Sequence, residues 1–254
     1  VSVQPLQIHR AAQLLKDARR AVALTGAGVS TPSGIPDFRS PGAGLWTHLD
    51  PMQVASLSAF RYDPARFYAW FHELACLIRS AQPNAAHVAL ARLEQAGRLR
   101  GVVTQNIDGL HQAAGSQAVF ELHGNLRRAV CVSCYRAFPT QGFFDEYVAT
   151  ARAPHCPECG GYLKPDAVLF GEQLPHAALR RADELFLEAD LVLVIGSSLE
   201  VSPAAGLPLL ALDRGAGLII VNRECTYLDD RAAVLLQADL AAVLPQVAEE
   251  VLLG

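Results

Sequence analysis

The chain has 254 residues, 51% of them hydrophobic and 18% charged, and a formal net charge of −4. That apolar content can build a sizeable core in one large unit with a smaller insertion, and it excludes an extended disordered chain. Mild acidity, with no long run of either sign, argues against a specific nucleic-acid partner, yet it suits a cationic peptide.

In chain order, residues 6–19 place Leu6, Ile8, Ala11, Leu14, Leu15 and Ala18 at helical spacing. Residues 21–25 are a short apolar run ending in Gly26-Ala27-Gly28. Helix, strand and glycine turn are how a dinucleotide-binding α/β fold begins. Residues 64–78 read as an apolar-rich helix, and 85–95 as another stopped by Gly97. A buried strand over 101–104 leads into Gln105-Asn106-Ile107-Asp108-Gly109, and a shorter one over 119–122 ends in His123-Gly124. The character changes over 127–165, which holds four paired cysteines, several prolines and little periodicity. That segment reads as an insertion with its own stabiliser.

Strand pattern returns over 167–170, followed by a helix over 177–188 and a fully apolar strand over 191–195 ending in Gly196-Ser197-Ser198. A helical stretch over 203–212, a strand over 218–221 ending at Asn222 and a helix over 240–253 complete the chain. Apolar strands alternating with helices predict a parallel sheet covered on both faces. The run 191–195 is far short of a membrane span, and residues 1–10 lack the basic-then-apolar order of a signal peptide. The expectation is a cytoplasmic protein with no membrane partner.

Four strand ends carry small polar clusters: 26–30, 105–108, 196–198 and Asn222. Ligands on open α/β sheets bind beyond the carboxyl ends of the strands, and glycines let backbone approach phosphate. The strict dinucleotide fingerprint fails, because Thr31 stands where a third glycine belongs. Ordinary strand-to-loop turns are rich in the same residues, so the clusters alone leave both readings open.

Cys131-x-x-Cys134 and Cys156-x-x-Cys159 are the strongest isolated signal. Two such pairs suit tetrahedral Zn²⁺, and four thiolates leave no open coordination position, so the metal would be structural. A redox pair is the alternative, which duplication of the motif disfavours, and His155 beside Cys156 is a weaker ligand candidate. His123 has the residue type of a general base. Taken alone, it also fits an ordinary hydrogen-bonded histidine.

Taken together, Gly26-Ala27-Gly28-Val29-Ser30, Gly34-Ile35-Pro36-Asp37-Phe38-Arg39, Thr104-Gln105-Asn106-Ile107-Asp108, Leu122-His123-Gly124, the cysteine pairs, Phe170-Gly171-Glu172 and Gly196-Ser197-Ser198 resemble the sirtuin family, motif by motif and in order. The likeness runs over about 14–244 and is greatest to bacterial and archaeal members. It implies an α/β fold with a Rossmann-type parallel sheet over 1–36, 84–126 and 166–254. A smaller domain would comprise a helical part, 37–83, and a zinc module, 127–165, with the whole chain forming one catalytic unit.

The resemblance implies an NAD-dependent protein-lysine deacetylase or deacylase. Such an enzyme transfers the acyl group to ADP-ribose and releases nicotinamide and O-acyl-ADP-ribose, with acylated-lysine proteins or peptides as partners. It implies His123 as catalytic base, with Asn106 and Asp108 holding the nicotinamide ribose and carboxamide. Gly26, Ala27, Gly28, Thr31, Asp37, Phe38, Arg39, Gln105, Ile107, Gly196, Ser197, Ser198, Asn222 and Leu240 fall at NAD-contacting positions. Val168, Phe170, Gly171 and Glu172 fall on the segment that pairs with the substrate peptide, and Cys131, Cys134, Cys156 and Cys159 on the zinc ligands. Phe71 and Leu74 stand where desuccinylating members carry a Tyr-x-x-Arg pair, which favours neutral acyl groups. Mono-ADP-ribosyl transfer from the same site, or a non-catalytic NAD-sensing module, are the competing readings.

Overall fold

The computed structural model describes residues 5–38, 44–45 and 50–253. Helix α1 (Pro5–Asp17) buries Ile8, Ala11, Ala12 and Leu15 on one face and delivers the chain to β1 (Ala21–Thr25). A 3-10 helix over Ala27–Ser33 follows, where a Rossmann-type fold would place an α-helix, and it closes on Gly34 at φ 87°. Pro32 inside it has no N–H to continue an α-helical ladder. Short α2 (Pro51–Val54) and α3 (Leu57–Tyr62) lead to α4 (Pro64–Ser80). Asp63 caps α4 by accepting from the Arg66 N–H, and Pro64 fills the first turn, where a missing N–H costs nothing. Helix α5 (Ala85–Gln95) is capped by Asn84, and β2 (Val102–Thr104), α6 (Leu110–Ala113) and β3 (Val119–Glu121) follow.

Next come β4 (Gly124–Cys131), β5 (Ala137–Pro139), α7 (Gln141–Thr150) and β6 (Leu163–Ala167). The remaining elements are α8 (His176–Glu188), β7 (Leu191–Ile195), α9 (Leu207–Leu212), β8 (Gly217–Val221), β9 (Val234–Leu236) and α10 (Leu240–Leu253). Six strands form a parallel sheet in the order β3-β2-β1-β7-β8-β9. The chain winds outward from β1 in one direction and from β7 in the other, so the order reverses between β1 and β7.

Strand periodicity divides the sheet's side chains between two cores. Ala21, Ala23, Leu191, Leu193, Ile195, Ile219 and Val221 pack under α1, α5 and α10. Val22, Leu24, Val192, Val194, Leu218 and Ile220 pack under α8 and α9. This is the two-sided cover that uninterrupted apolar strands require.

A second sheet, β5-β4-β6, is antiparallel. It shares a third core with α3, α4 and α7, in which Phe60, Phe67, Tyr68, Phe71 and Tyr147 meet edge to face or stacked. The sequence positions 126/127 and 165/166 lie inside β4 and β6. The strand expected over 167–170 is displaced: β6 ends at Ala167, and beyond it only Phe170 bridges Ser56. A turn closed by the Glu172 N–H on the Leu169 carbonyl, with Gly171 at φ 85°, stops the ladder there.

Candidate functional site

At the β1–β7 reversal two glycine turns meet backbone to backbone. The Gly28 N–H donates to the Gly196 carbonyl at 2.9 Å, and the Gly26 N–H to the Ile195 carbonyl at 3.1 Å. A Cβ on Gly196 would lie 2.4 Å from the Val29 nitrogen, and one on Gly26 2.8 Å from the Gly196 oxygen. The glycines are therefore required by the mutual approach of the two turns, before any ligand is considered.

The turn after β2 folds over this junction. The Asn106 amide donates to the Gly26 carbonyl and to Ser30 Oγ, each at 3.1 Å, and the Gln105 amide to Ser197 Oγ at 2.9 Å. Ser30 Oγ donates in turn to Asp108 Oδ2 at 2.7 Å, and the Leu110 N–H to Asp108 Oδ1 at 2.9 Å. Burial raises the Asp108 pKa, those two donors oppose the rise, and Glu121 adds to it. His123 joins the same turn through Nδ1 and the Gln105 carbonyl, 2.9 Å apart. A carbonyl only accepts, so Nδ1 carries the proton and Nε2 is the basic nitrogen.

Beside this cluster opens a cleft of roughly 560 Å³, lined among others by Gly28, Thr31, Asp37, Asn222 and Leu240. Thr31 Oγ1 donates to the Gly28 carbonyl, and the Asn222 amide to the Glu224 carbonyl. The cleft and the reversal lie beyond the strand ends, where ligands bind on open α/β sheets, with the backbone of the glycine turns and the amide and carboxylate groups of 105–108 close by. Ala27, Ile107 and Ser198 are partly exposed at the same strand ends, and Phe38 is partly exposed beyond the 3-10 helix. Arg39 lies outside the described residues. The structure adds Ser30 to the expected set, and it adds Arg223, Glu224 and Asp239 on the cleft wall. Ser30 stood inside a recognised motif. The other three sit beside Asn222 and Leu240, at a strand end and a helix start, which was the one signal available for them.

On the opposite side of His123, its carbonyl accepts from the Val168 N–H at 2.8 Å, and the Phe170 N–H and carbonyl pair with Ala55 and Leu57. Glu172 Oε2 accepts from the Leu169 N–H at 2.8 Å and meets Lys164 Nζ at 2.9 Å. The 168–172 segment is thus a shaped turn against His123 rather than a free strand.

The four cysteine sulfurs converge to within 4.8 Å of one another, with Cys131–Cys159 at 3.4 Å and Cys134–Cys156 at 3.7 Å. These separations are far too long for a disulfide. They approach the edge of a Zn–S tetrahedron, about 3.8 Å for bonds of about 2.3 Å. Each pair sits on a tight turn: the Tyr135 N–H bonds the Cys131 carbonyl and the Gly160 N–H the Cys156 carbonyl, with φ of 61° and 72°. His155 is engaged elsewhere, through Nδ1 to the Gly160 carbonyl and by stacking on Tyr162.

A family model described as the Sir2 family matches residues 26–203. An NAD-dependent protein deacetylase of Caldivirga maquilingensis is 46% identical over 243 residues, covering 96% of this chain and 93% of that protein. An NAD-dependent protein deacylase of Thermus thermophilus is 44% identical over 252 residues, covering 96% of each. A Sir2 solved with a p53 peptide and NAD+ superposes with a TM-score of 0.85 at 41% identity, covering 95% of this chain and 97% of that one.

Proposed function

The chain belongs to the Sir2 family, and from that premise we propose that it is an NAD-dependent protein-lysine deacylase acting on acylated-lysine proteins or peptides. The convergence of Ser30, Asn106, Asp108 and His123 at the β1–β7 reversal carries this reading. NAD, when bound, supplies the ribose carbon that receives the acyl oxygen as nicotinamide departs.

The chain's own residues divide the remaining work. Asn106 and Asp108, held by Ser30 and the Gly26 carbonyl, grip the nicotinamide end, and Ile107 packs beside it. Thr31, Asp37, Phe38, Arg39, Asn222 and Leu240 hold the rest of the dinucleotide, with Gly26, Ala27, Gly28, Gln105, Gly196, Ser197 and Ser198 forming the floor. His123 takes a ribose hydroxyl proton at Nε2, because Nδ1 is committed to Gln105. Val168, Phe170, Gly171 and Glu172 shape the peptide side. Cys131, Cys134, Cys156 and Cys159 hold one structural zinc. The helical part, 37–83, and the zinc module, 127–165, form the small domain of a single catalytic unit, and the sheet regions 1–36, 84–126 and 166–254 form the large one.

No helix among the described residues is long and apolar enough to cross a membrane. A cytoplasmic location, without nucleic-acid or membrane partners, goes with this reading. The test is incubation with NAD and an acetyl-lysine peptide, read by mass spectrometry. The expected products are bare lysine, nicotinamide and O-acetyl-ADP-ribose in equal amounts. A peptide that instead gains the mass of ADP-ribose would replace deacylation with ADP-ribosyl transfer.

A further inference from the structure

Behind the Asn106 turn lie two histidines, His87 and His111, which are 0% and 1% exposed. Their rings are 4.8 Å apart, and His87 Nε2 and His111 Nδ1 have no hydrogen-bond partner. The surrounding bonds decide where the protons sit. The Asn84 N–H donates to His87 Nδ1 at 3.3 Å, so His87 carries its proton on Nε2. Thr25 Oγ1 donates its single proton to Thr104 Oγ1 at 2.9 Å and lies 2.9 Å from His111 Nε2. His111 must therefore donate from Nε2, which leaves Nδ1 bare. The two orphaned atoms are thus one donor and one acceptor, on rings that touch edge to face with no hydrogen bond between them.

We infer that His111 and Thr25 are positioning residues for the nicotinamide end of the proposed NAD site, acting through a buried chain that ends at Asn106. The chain runs from His111 Nε2 through Thr25 to Thr104, whose Oγ1 accepts the Asn106 N–H at 3.1 Å. The Asn84 side chain meanwhile grips the glycine-turn helix, donating to the Val29 carbonyl at 2.8 Å and to Ser33 Oγ at 2.9 Å. Asn84 thereby ties the start of α5 to that helix, and the His87 ring packs against the His111 end of the chain. Burial lowers both imidazole pKa values, to about 4 for His87 and about 3 for His111. Both rings stay neutral at ordinary assay pH, as the proton assignment needs.

The inference rests on the NAD reading of the site, and its test separates the two. Steady-state kinetics would compare wild type with Thr25→Val, Thr25→Ser, His111→Leu and His111→Gln, varying NAD and peptide separately. Thr25→Val is nearly isosteric and removes the hydroxyl, whereas Thr25→Ser keeps it. His111→Gln keeps an amide N–H near the Nε2 position. The expected result is a KM for NAD raised about fivefold or more in Thr25→Val and His111→Leu, the size of one lost hydrogen bond. The peptide KM should be unchanged, and the conservative variants Thr25→Ser and His111→Gln should recover most of the loss. Wild-type NAD kinetics in Thr25→Val, even with a lower melting temperature, would reduce the network to ordinary core and overturn the inference. Imidazole ¹⁵N shifts of the wild type give an independent decision: a proton on Nδ1 of His111 would overturn it whether or not any variant folds. A wild type that neither binds NAD nor deacylates would instead refute the site reading itself.

Discussion

At the scale of single residues, the site is a set of side chains whose protons are directed by backbone carbonyls. His123 illustrates this, since the Gln105 carbonyl decides which ring nitrogen is basic. His123→Ala should lower deacylation by about 100-fold or more, the span of a lost general base. Nicotinamide exchange should fall less, because departure of nicotinamide does not use that base. Parallel assays of the two activities on folded protein check this, and an unaltered deacylation rate would count against the assignment. The buried histidines make a second prediction. Both titrate in the folded state below the ordinary value of 6.5. The unfolded chain therefore binds more protons between about pH 6.5 and 3, and stability falls as pH is lowered through that window. The slope should approach roughly 1.4 kcal/mol per pH unit for each histidine. Urea midpoints at pH 7, 6 and 5 measure it, and His87→Gln with His111→Gln should flatten the profile. The pair was not legible in the sequence, where His87 and His111 are two of eight histidines with no spacing in common.

Elements were legible in proportion to their length and regularity. The strands β1, β7 and β8 are buried on both faces, and their uninterrupted apolar runs show it. Helices α4, α5 and α10 announce themselves by apolar spacing and by Asp63-Pro64 and Asn84 at their starts. By contrast β5 and β9 have three residues each, and β4 and β6 owe their pairing to partners distant in sequence, which no local pattern records. The 167–170 segment misled because Ala167 and Leu169 are buried alternately with their neighbours, as in a strand, while its hydrogen bonds are divided among His123, Ala55, Leu57 and the turn at Glu172. In α4, Phe71 and Leu74 are buried, and Phe71 stacks between Phe67 and Tyr147. The two arginines of α4 turn away from that aromatic core, Arg66 to the Gln53 side chain and Arg79 to Asp145. A carboxylate-bearing acyl group brought there would be desolvated without a partner. Acetyl-lysine peptide should therefore exceed the succinyl version in kcat/KM by about tenfold or more, or about 1.4 kcal/mol. Equal values for the two peptides would show that another cation reaches the acyl group.

Across the whole molecule, two sheets of opposite character meet at His123. The parallel sheet ends its third strand at Glu121, two residues before it, and the antiparallel sheet begins at Gly124, one residue after. The far end of β4 is Cys131, so this one strand connects the proposed base, which immediately precedes it, to the proposed zinc. Structural zinc contributes folding free energy on the order of 10 kcal/mol in small modules. Metal analysis should find one zinc per chain. Chelation should abolish deacylation together with the antiparallel sheet, and re-addition of zinc should restore both. Fully active protein with far less than one equivalent of metal would refute the coupling.

The backbone-on-backbone junction of Gly28 and Gly196 bears on redesign of the cofactor preference. A contact with no side chains offers nothing to exchange: any Cβ at Gly196 collides with main chain. An engineer seeking a different dinucleotide must leave this keystone alone and work at the rim, where Glu224 is an exposed charge open to reversal, while Arg223 and Asp239 pair with each other and Asp239 also holds the Ala241 N–H at the start of α10.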